Sequence, residues 1–118
     1  MGRAKLVSDW LPRGERYLDI GCSDGEVLHW VGGRCELAVG LDVDRRTMAE
    51  AIKRSPGSEF SLGSADRLPF ADATFDAISM LDVLEHVPDP IGSLREVDRV
   101  LRLSLIHISE PTRQAEIS

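Results

Sequence analysis

The sequence predicts an α/β chain built on a doubly wound parallel sheet, and three observations lead there. Short apolar runs at residues 17–20, 37–41 and 75–81 alternate with segments whose apolar residues recur at helical spacing. The first run breaks into a glycine-containing turn, Gly21-Cys-Ser-Asp-Gly25, directly before one of those helical segments. A polar cluster follows each of these runs and a weaker one at residues 60–62: residues 21–25, Asp42, residues 64–66 and residues 82–86. Apolar strands alternating with helices imply a parallel sheet covered on both faces. Right-handed crossovers make it doubly wound. Ligands of such sheets sit outside the carboxyl ends of the strands, which is where all four clusters fall.

In chain order, residues 4–11 form a short amphipathic helix with Leu6, Val7, Trp10 and Leu11 on one side, stopped by Pro12-Arg-Gly14. The strand and turn at 17–25 follow. Gly21 and Gly25 can take positive φ and bring no Cβ, so a ligand can approach the backbone closely. Ser23 and Glu26 have the spacing of a capping box, which would start the next helix at the turn itself. Val27, Leu28 and Val31 give that helix its apolar face, and Gly32-Gly33 ends it. Residues 36–41 form a second strand ending at Asp42. Asp44 caps a helix with Met48, Ala51 and Ile52 on one face, closed by Ser55-Pro-Gly57. Residues 60–62 are a weak third strand, followed by a loop at 63–70 and a turn at 71–74. Residues 75–81 form the fourth strand. Pro88 and Pro90 open a last helix with Ile91, Leu94, Val97 and Leu101 on its apolar face.

Composition narrows the function classes. A chain of 118 residues with 42% hydrophobic and 29% charged residues suits one soluble globular domain. The net charge of −6 and the lack of a basic stripe argue against a nucleic-acid partner. No apolar run approaches the length of a membrane span, and residues 1–10 lack the apolar core of a signal peptide. Cys22 and Cys35 are too few for a disulfide framework and read as free thiols, which points to the cytoplasm. Cys22 could be a nucleophile at a helix N-terminus, but filling the turn is the better reading.

The rim also says what kind of ligand to expect. The helix N-terminus behind the glycine turn offers free N–H groups and partial positive charge. In doubly wound folds an acid placed as Asp42 is, at the end of the second strand, accepts hydrogen bonds from ribose hydroxyls. The dinucleotide fingerprint needs glycine at its first, third and sixth positions, and this turn has Gly21, Ser23 and Glu26. No Arg or Lys lies in the turn to meet a pyrophosphate. A nucleoside without phosphates fits better than NAD, which stays as the alternative.

The segments Leu18-Asp-Ile-Gly-Cys-Ser-Asp-Gly25, Gly40-Leu-Asp42, Ala65-Asp-Arg-Leu-Pro-Phe70, Phe75-Asp76 and Asp82-Val-Leu-Glu-His-Val-Pro88 together resemble class I S-adenosylmethionine-dependent methyltransferases. Within that class they are similar to the broad group that includes quinone-pathway methyltransferases. The resemblance is specific for the class and not for an acceptor. It implies a Rossmann-like fold, S-adenosyl-L-methionine as cofactor, and methyl transfer to O, N or C of a small molecule. It also implies roles. Asp19 and the turn of Gly21, Cys22, Asp24 and Gly25 hold the methionine part. Asp42 holds the ribose, and Val43 lies along the adenine. Ser64 stands before Ala65 where relatives carry an Asp or Asn toward the adenine amino group, with Asp66 near enough to substitute. Leu81 lines the pocket near the sulfonium. Ser23 replaces the family's middle glycine, a mild departure if its φ is negative.

Asp82, Glu85 and His86 carry three open readings: a divalent-metal set like that of some O-methyltransferases, His86 as general base, or plain structure. Structure is the favoured one. The resemblance covers residues 17–102, so residues 1–102 read as the N-terminal part of the methyltransferase domain, which could also lack activity of its own. Residues 103–118 resemble a translated sequencing adapter and are read as non-native. The same resemblance places the first strand beside the fourth and leaves the fourth at a sheet edge.

Overall fold

The computed structural model describes residues 2–102. The expectation of a non-native tail at 103–118 falls outside the described residues. Eight elements follow one another: α1 (Gly2–Trp10), β1 (Arg16–Ile20), α2 (Glu26–Val31), β2 (Leu37–Asp42), α3 (Arg45–Arg54), β3 (Glu59–Leu62), β4 (Ala77–Met80) and α4 (Pro90–Val100). Short 3₁₀ turns at Gly32–Arg34 and Leu84–His86 complete the chain. The four strands form one parallel sheet in the order β3-β2-β1-β4. That order reverses direction at β1, so the carboxyl ends of β1, β2 and β4 meet at one rim, the place where such sheets bind ligands.

Alternation along the strands explains how both faces are buried. Leu18, Ile20, Val39, Leu41, Ile78 and Met80 point to one side, where Val97, Val100 and Leu101 from α4 and its end close over them together with Phe75 and Leu68. Tyr17, Ala38, Ala77 and Leu81 point to the other, covered by Val7 and Leu11, by Val27, Leu28 and Val31 of α2, and by Met48 of α3. Each such fully buried Leu, Ile, Val or Met contributes roughly 1.5–3 kcal/mol. The doubly wound expectation therefore holds.

Several local expectations change. Ile52 and Ile91 sit at helical spacing but are half or more exposed, because α3 and α4 turn narrower stripes inward, through Met48 and Ala51 and through Ser93, Val97 and Val100. The Ser23–Glu26 capping box does not form. Gly25, at φ +82°, is the N-cap residue of α2 and has no side chain to cap it, and the Glu26 N–H donates instead to Asp24 Oδ1 at 3.3 Å. Asp44 does cap α3, accepting from the Arg46 and Thr47 N–H groups. The fourth strand is shorter than expected, since Phe75 pairs across to Leu101 instead of β1. There the Phe75 N–H donates to the Val100 carbonyl at 2.9 Å and the Arg102 N–H to the Phe75 carbonyl at 2.8 Å. Beyond that contact β4 is an edge of the described sheet.

Candidate functional site

The turn after β1 is built from backbone. Gly21 (φ +77°), Ser23 (φ +51°) and Gly25 (φ +82°) all lie in the left-handed region. The N–H groups of Gly21 and Cys22 both donate to the Leu41 carbonyl, at 2.7 and 3.0 Å, which ties the turn to the end of β2. Ser23 does not take the negative φ that would make its replacement of the middle glycine a mild departure. A left-handed non-glycine residue is strained by about 1–2 kcal/mol, and the structure offsets this with a charge-assisted bond. The Ser23 N–H donates to Asp42 Oδ2 at 2.8 Å.

Asp42 is thereby fixed from two sides, because the Asp44 N–H donates to its other oxygen, Oδ1, at 2.9 Å. A carboxylate has about four acceptor positions. With one N–H on each oxygen, Asp42 keeps one position per oxygen for a ligand. Beside it Val43 is 74% exposed, an apolar face set at the mouth of a polar rim.

Around these groups lies a cavity of about 540 Å³, within the range of small-molecule sites. Its walls include Gly21, Ser23, Asp42, Val43, Ser64, Ala65 and Leu81, drawn from the ends of all four strands. A smaller hollow of about 240 Å³ adjoins it and is lined by Asp19, Cys22, Asp24 and Glu26. Arg3, Gly21, Ser23 and Leu81 border both. So Gly21, Asp42, Val43, Ser64, Ala65 and Leu81 are brought together in the larger cavity, and Asp19, Cys22 and Asp24 in the smaller. Gly25 and Asp66 line neither. Gly25 packs instead against the α3 backbone at Ala51. Asp66 accepts the Ser64 hydroxyl proton at 2.6 Å, so Ser64 presents its oxygen to the cavity already engaged as a donor.

The electrostatics are acidic. Asp19 is 3% exposed and receives the Ser79 hydroxyl at 2.8 Å; burial pushes its pKa up to about 7. Burial, with the Asp19 and Asp42 charges behind it, pushes the Cys22 thiol up to about 12. Cys22 is therefore a protonated, buried filler of the turn and no thiolate nucleophile. Asp24 pairs with Arg54 at 2.9 Å.

At the other wall Asp82 (φ +57°) forms an ion pair with Arg3, reaching across from α1. His86 lies at the cavity wall with Nε2 3.7 Å from Glu85, and Glu85 is not part of the lining. Among the described residues no three His, Cys, Asp or Glu side chains gather as a metal ion would require. Arg3 was missed from the sequence, where α1 showed only its apolar face. Ser79 was missed too, although a serine inside the buried run Ala77–Met80 is itself a signal.

A profile of the family described as "Methyltransferase domain" matches residues 18–104. The chain is 31% identical over 99 residues to 27-O-demethylrifamycin SV methyltransferase of Amycolatopsis mediterranei, covering 78% of this chain and 36% of that protein. It is 35% identical over 100 residues to demethylmenaquinone methyltransferase of Beutenbergia cavernae, covering 85% of this chain and 42% of that protein. The chain thus spans less than half the length of these curated relatives. Among solved structures it is similar to an S-adenosylmethionine-dependent methyltransferase from Methanosarcina mazei, with 29% identity and a TM-score of 0.73 over 87% of this chain and 55% of that one. Profile, relatives and the parallel sheet with its shared rim agree, and the chain belongs to the methyltransferase-domain family of S-adenosylmethionine-dependent enzymes.

Proposed function

We propose that the 540 Å³ cavity and its smaller neighbour hold S-adenosyl-L-methionine, and that the protein this chain belongs to transfers a methyl group to O, N or C of a small-molecule acceptor. One observation carries the reading. A carboxylate held by two backbone N–H groups, Asp42, stands between an exposed apolar face at Val43 and a glycine turn, all on one cavity. A Cβ at Gly21, whose φ is +77°, would meet the end of the Val83 side chain, so the turn is a close-fitting cradle that favours glycine. The donor set fits a nucleoside bearing a cation. The names of the two curated relatives above, a rifamycin-precursor and a demethylmenaquinone enzyme, support a small-molecule acceptor.

When bound, the cofactor supplies an electrophilic methyl group on a sulfonium. The chain's own residues align and exclude. Asp42 accepts the ribose hydroxyls on its two remaining acceptor positions. Val43 covers one face of the adenine, and Ser64 and Ala65 border its edge. Asp19 places negative charge at the methionine end, with Gly21, Cys22 and Asp24 around it. Leu81 gives an apolar wall that keeps water from the reacting centre, where alignment supplies much of the rate. The favoured reading of His86 stays structural, and its position at the cavity wall supports it only as a candidate base where the acceptor is a hydroxyl. The metal reading of Asp82, Glu85 and His86 has less support, since Asp82 is engaged by Arg3. Two unpaired thiols favour a cytoplasmic setting, and the acidic balance disfavours nucleic acid as a partner. Among the described residues no helix is long and apolar enough to cross a membrane.

Calorimetry with S-adenosylhomocysteine against NAD tests the reading. We expect binding of the first and none of the second. Asp42→Ala should weaken it about tenfold or more, since each charge-assisted bond is worth roughly 1.5–3 kcal/mol. Equal affinity in a folded Asp42→Ala variant would remove Asp42 from the site.

A further inference from the structure

Behind the rim, a line of hydroxyls runs from the dry interior to the cavity. Tyr17 is fully buried, Ser79 is 1% exposed and Asp19 is 3% exposed. The parallel register sets Ser79 directly opposite Asp19 across β1 and β4, and Tyr17 two residues before Asp19 on the same face. The Tyr17 phenol and the Ser79 hydroxyl share a hydrogen bond, and Ser79 Oγ donates to Asp19 Oδ1 at 2.8 Å. Asp19 then borders the smaller cavity. None of the roles assigned above uses Tyr17 or Ser79. Burying a hydroxyl without a partner costs about 1–3 kcal/mol, so a pair of them inside a sheet needs a reason.

We propose that Ser79 and Tyr17 are positioning residues: a polarised hydroxyl relay that fixes Asp19 as a charged carboxylate turned to the methionine end of the cofactor site. The proposal rests on the cofactor reading given above.

Proton counting supports the direction of the relay. Burial holds the Tyr17 phenol well above its ordinary pKa, so it keeps its proton and can donate. Ser79 has one proton. If Tyr17 donates into Ser79, that proton is left for Asp19. The Tyr17 O–H then points at Ser79 Oγ and the Ser79 O–H at one carboxylate oxygen, two dipoles head to tail, and the second oxygen is left for a ligand. A protonated Asp19 carrying its proton on the second oxygen would keep both bonds of the line but offer a ligand a donor in place of an acceptor. The other groups around Asp19 pull both ways. Arg3 on α1 favours its charge, and Asp42 at the end of β2 opposes it. Cys22, Asp24 and Glu26 share the same hollow, and of these Asp24 is already paired with Arg54. Ser79 is the hydrogen bond that opposes the cost of burial. Asp19 therefore titrates near neutrality, where losing a single donor changes its charge.

The test has two arms on the full chain. In the first, carboxyl ¹³C NMR follows the Asp19 titration with no ligand present. We expect a midpoint near 7 that moves up by about one pH unit or more in Ser79→Ala, by less in Tyr17→Phe, and back toward the original in Ser79→Thr. In the second, calorimetry with S-adenosylhomocysteine from pH 6 to 9 should show affinity rising with pH through the same midpoint. At pH 7 Ser79→Ala should bind about fivefold more weakly, because the charged fraction falls from about a half to about a tenth. A midpoint unmoved in Ser79→Ala overturns the relay, and Tyr17→Phe decides the matter should Ser79→Ala fail to fold. A midpoint that moves while the unaltered chain binds no S-adenosylhomocysteine overturns the cofactor reading instead, so the two failures are separable.

Discussion

Two glycines of one turn should fail in different ways when given a methyl group. A Cβ at Gly25 would sit 2.9 Å from Ala51 Cα, 3.0 Å from Ala51 Cβ and 3.3 Å from the Ala51 carbonyl oxygen. Two of those atoms belong to the backbone of α3 and the third is the Cβ fixed to it, so none can swing aside. Positive φ adds about 1–2 kcal/mol of strain, and forcing two helices apart adds about 1–3 kcal/mol, so Gly25→Ala should cost roughly 3 kcal/mol. That is a large part of the roughly 5–15 kcal/mol that holds a domain together. At Gly21 the obstruction is Val83 Cγ2, the end of a side chain that can rotate. Gly21→Ala should therefore cost only the strain, about 1–2 kcal/mol, while its methyl narrows the cavity wall. Urea unfolding and calorimetry with S-adenosylhomocysteine, run on both variants, separate the effects. Gly25→Ala should lose more stability, and Gly21→Ala more affinity per unit of stability lost. Gly25→Ala combined with Ala51→Gly should recover only part of the loss, because the contacts to Cα and oxygen remain. If Gly25→Ala unfolds within about 1 kcal/mol of the parent, the close approach of turn and α3 is not real.

Asp19 and Arg99 give two further tests. Burial raises the Asp19 pKa from 3.8 to about 7, so between those values the folded state binds the proton that the unfolded state has released. Stability from this group is greatest below pH 4 and declines as pH rises to 7, by on the order of 4 kcal/mol in all. Asp19→Asn should accordingly be the more stable protein at pH 8 and nearly equal to the parent at pH 4; a constant difference across that range in urea unfolding would contradict the buried charge. Arg99 donates to the Leu68 and Phe70 carbonyls and to Glu96 and Asp72, pinning the loop after β3 to α4. Arg99→Met should cost about 1–3 kcal/mol and raise hydrogen exchange in residues 66–72 first, whereas a uniform rise over the whole sheet would point to global unfolding instead.

What could be read from the sequence was local chemistry. The run Tyr17-Leu-Asp-Ile followed by Gly21 and Gly25 specifies strand and turn because those residue types have few other uses. Asp44 announces a cap for the same reason. The alternation of strands and helices fixes the sheet type, and the sheet type fixes the rim. What was not legible depends on residues far apart. Ser23 takes positive φ because Asp42, on the next strand, accepts its N–H. With Gly25 also left-handed, α2 starts later than the capping-box spacing suggests. Arg3 acts on Asp82 across most of the described chain. Ser79 looks like a lapse in an apolar strand until the register sets it opposite Asp19. Periodicity also overstated burial at Ile52 and Ile91, since it gives the direction of a face but not its width.

The least comfortable parts of the described structure collect at one place. Ser23 and Asp82, two of the three non-glycine residues with positive φ, border the larger cavity. Asp19, the one buried side chain in the described chain that carries a formal charge, borders the smaller. Strain persists at such a site only where the surroundings over-determine it, and it points to function. The form of the strain also selects the ligand. Asp42 retains acceptor positions, and Asp19 is held as an acid at the opposite end, so a purely apolar ligand would recover nothing of what burial and strain give up. A ligand with hydroxyls at one end and a cation at the other recovers both, and binding at 100 times its Kd would add about 2.7 kcal/mol to the folded state. A nucleoside sulfonium has that form without phosphates, whereas a pyrophosphate-bridged dinucleotide would bring two negative charges to a rim lined by Asp19, Asp24 and Asp42.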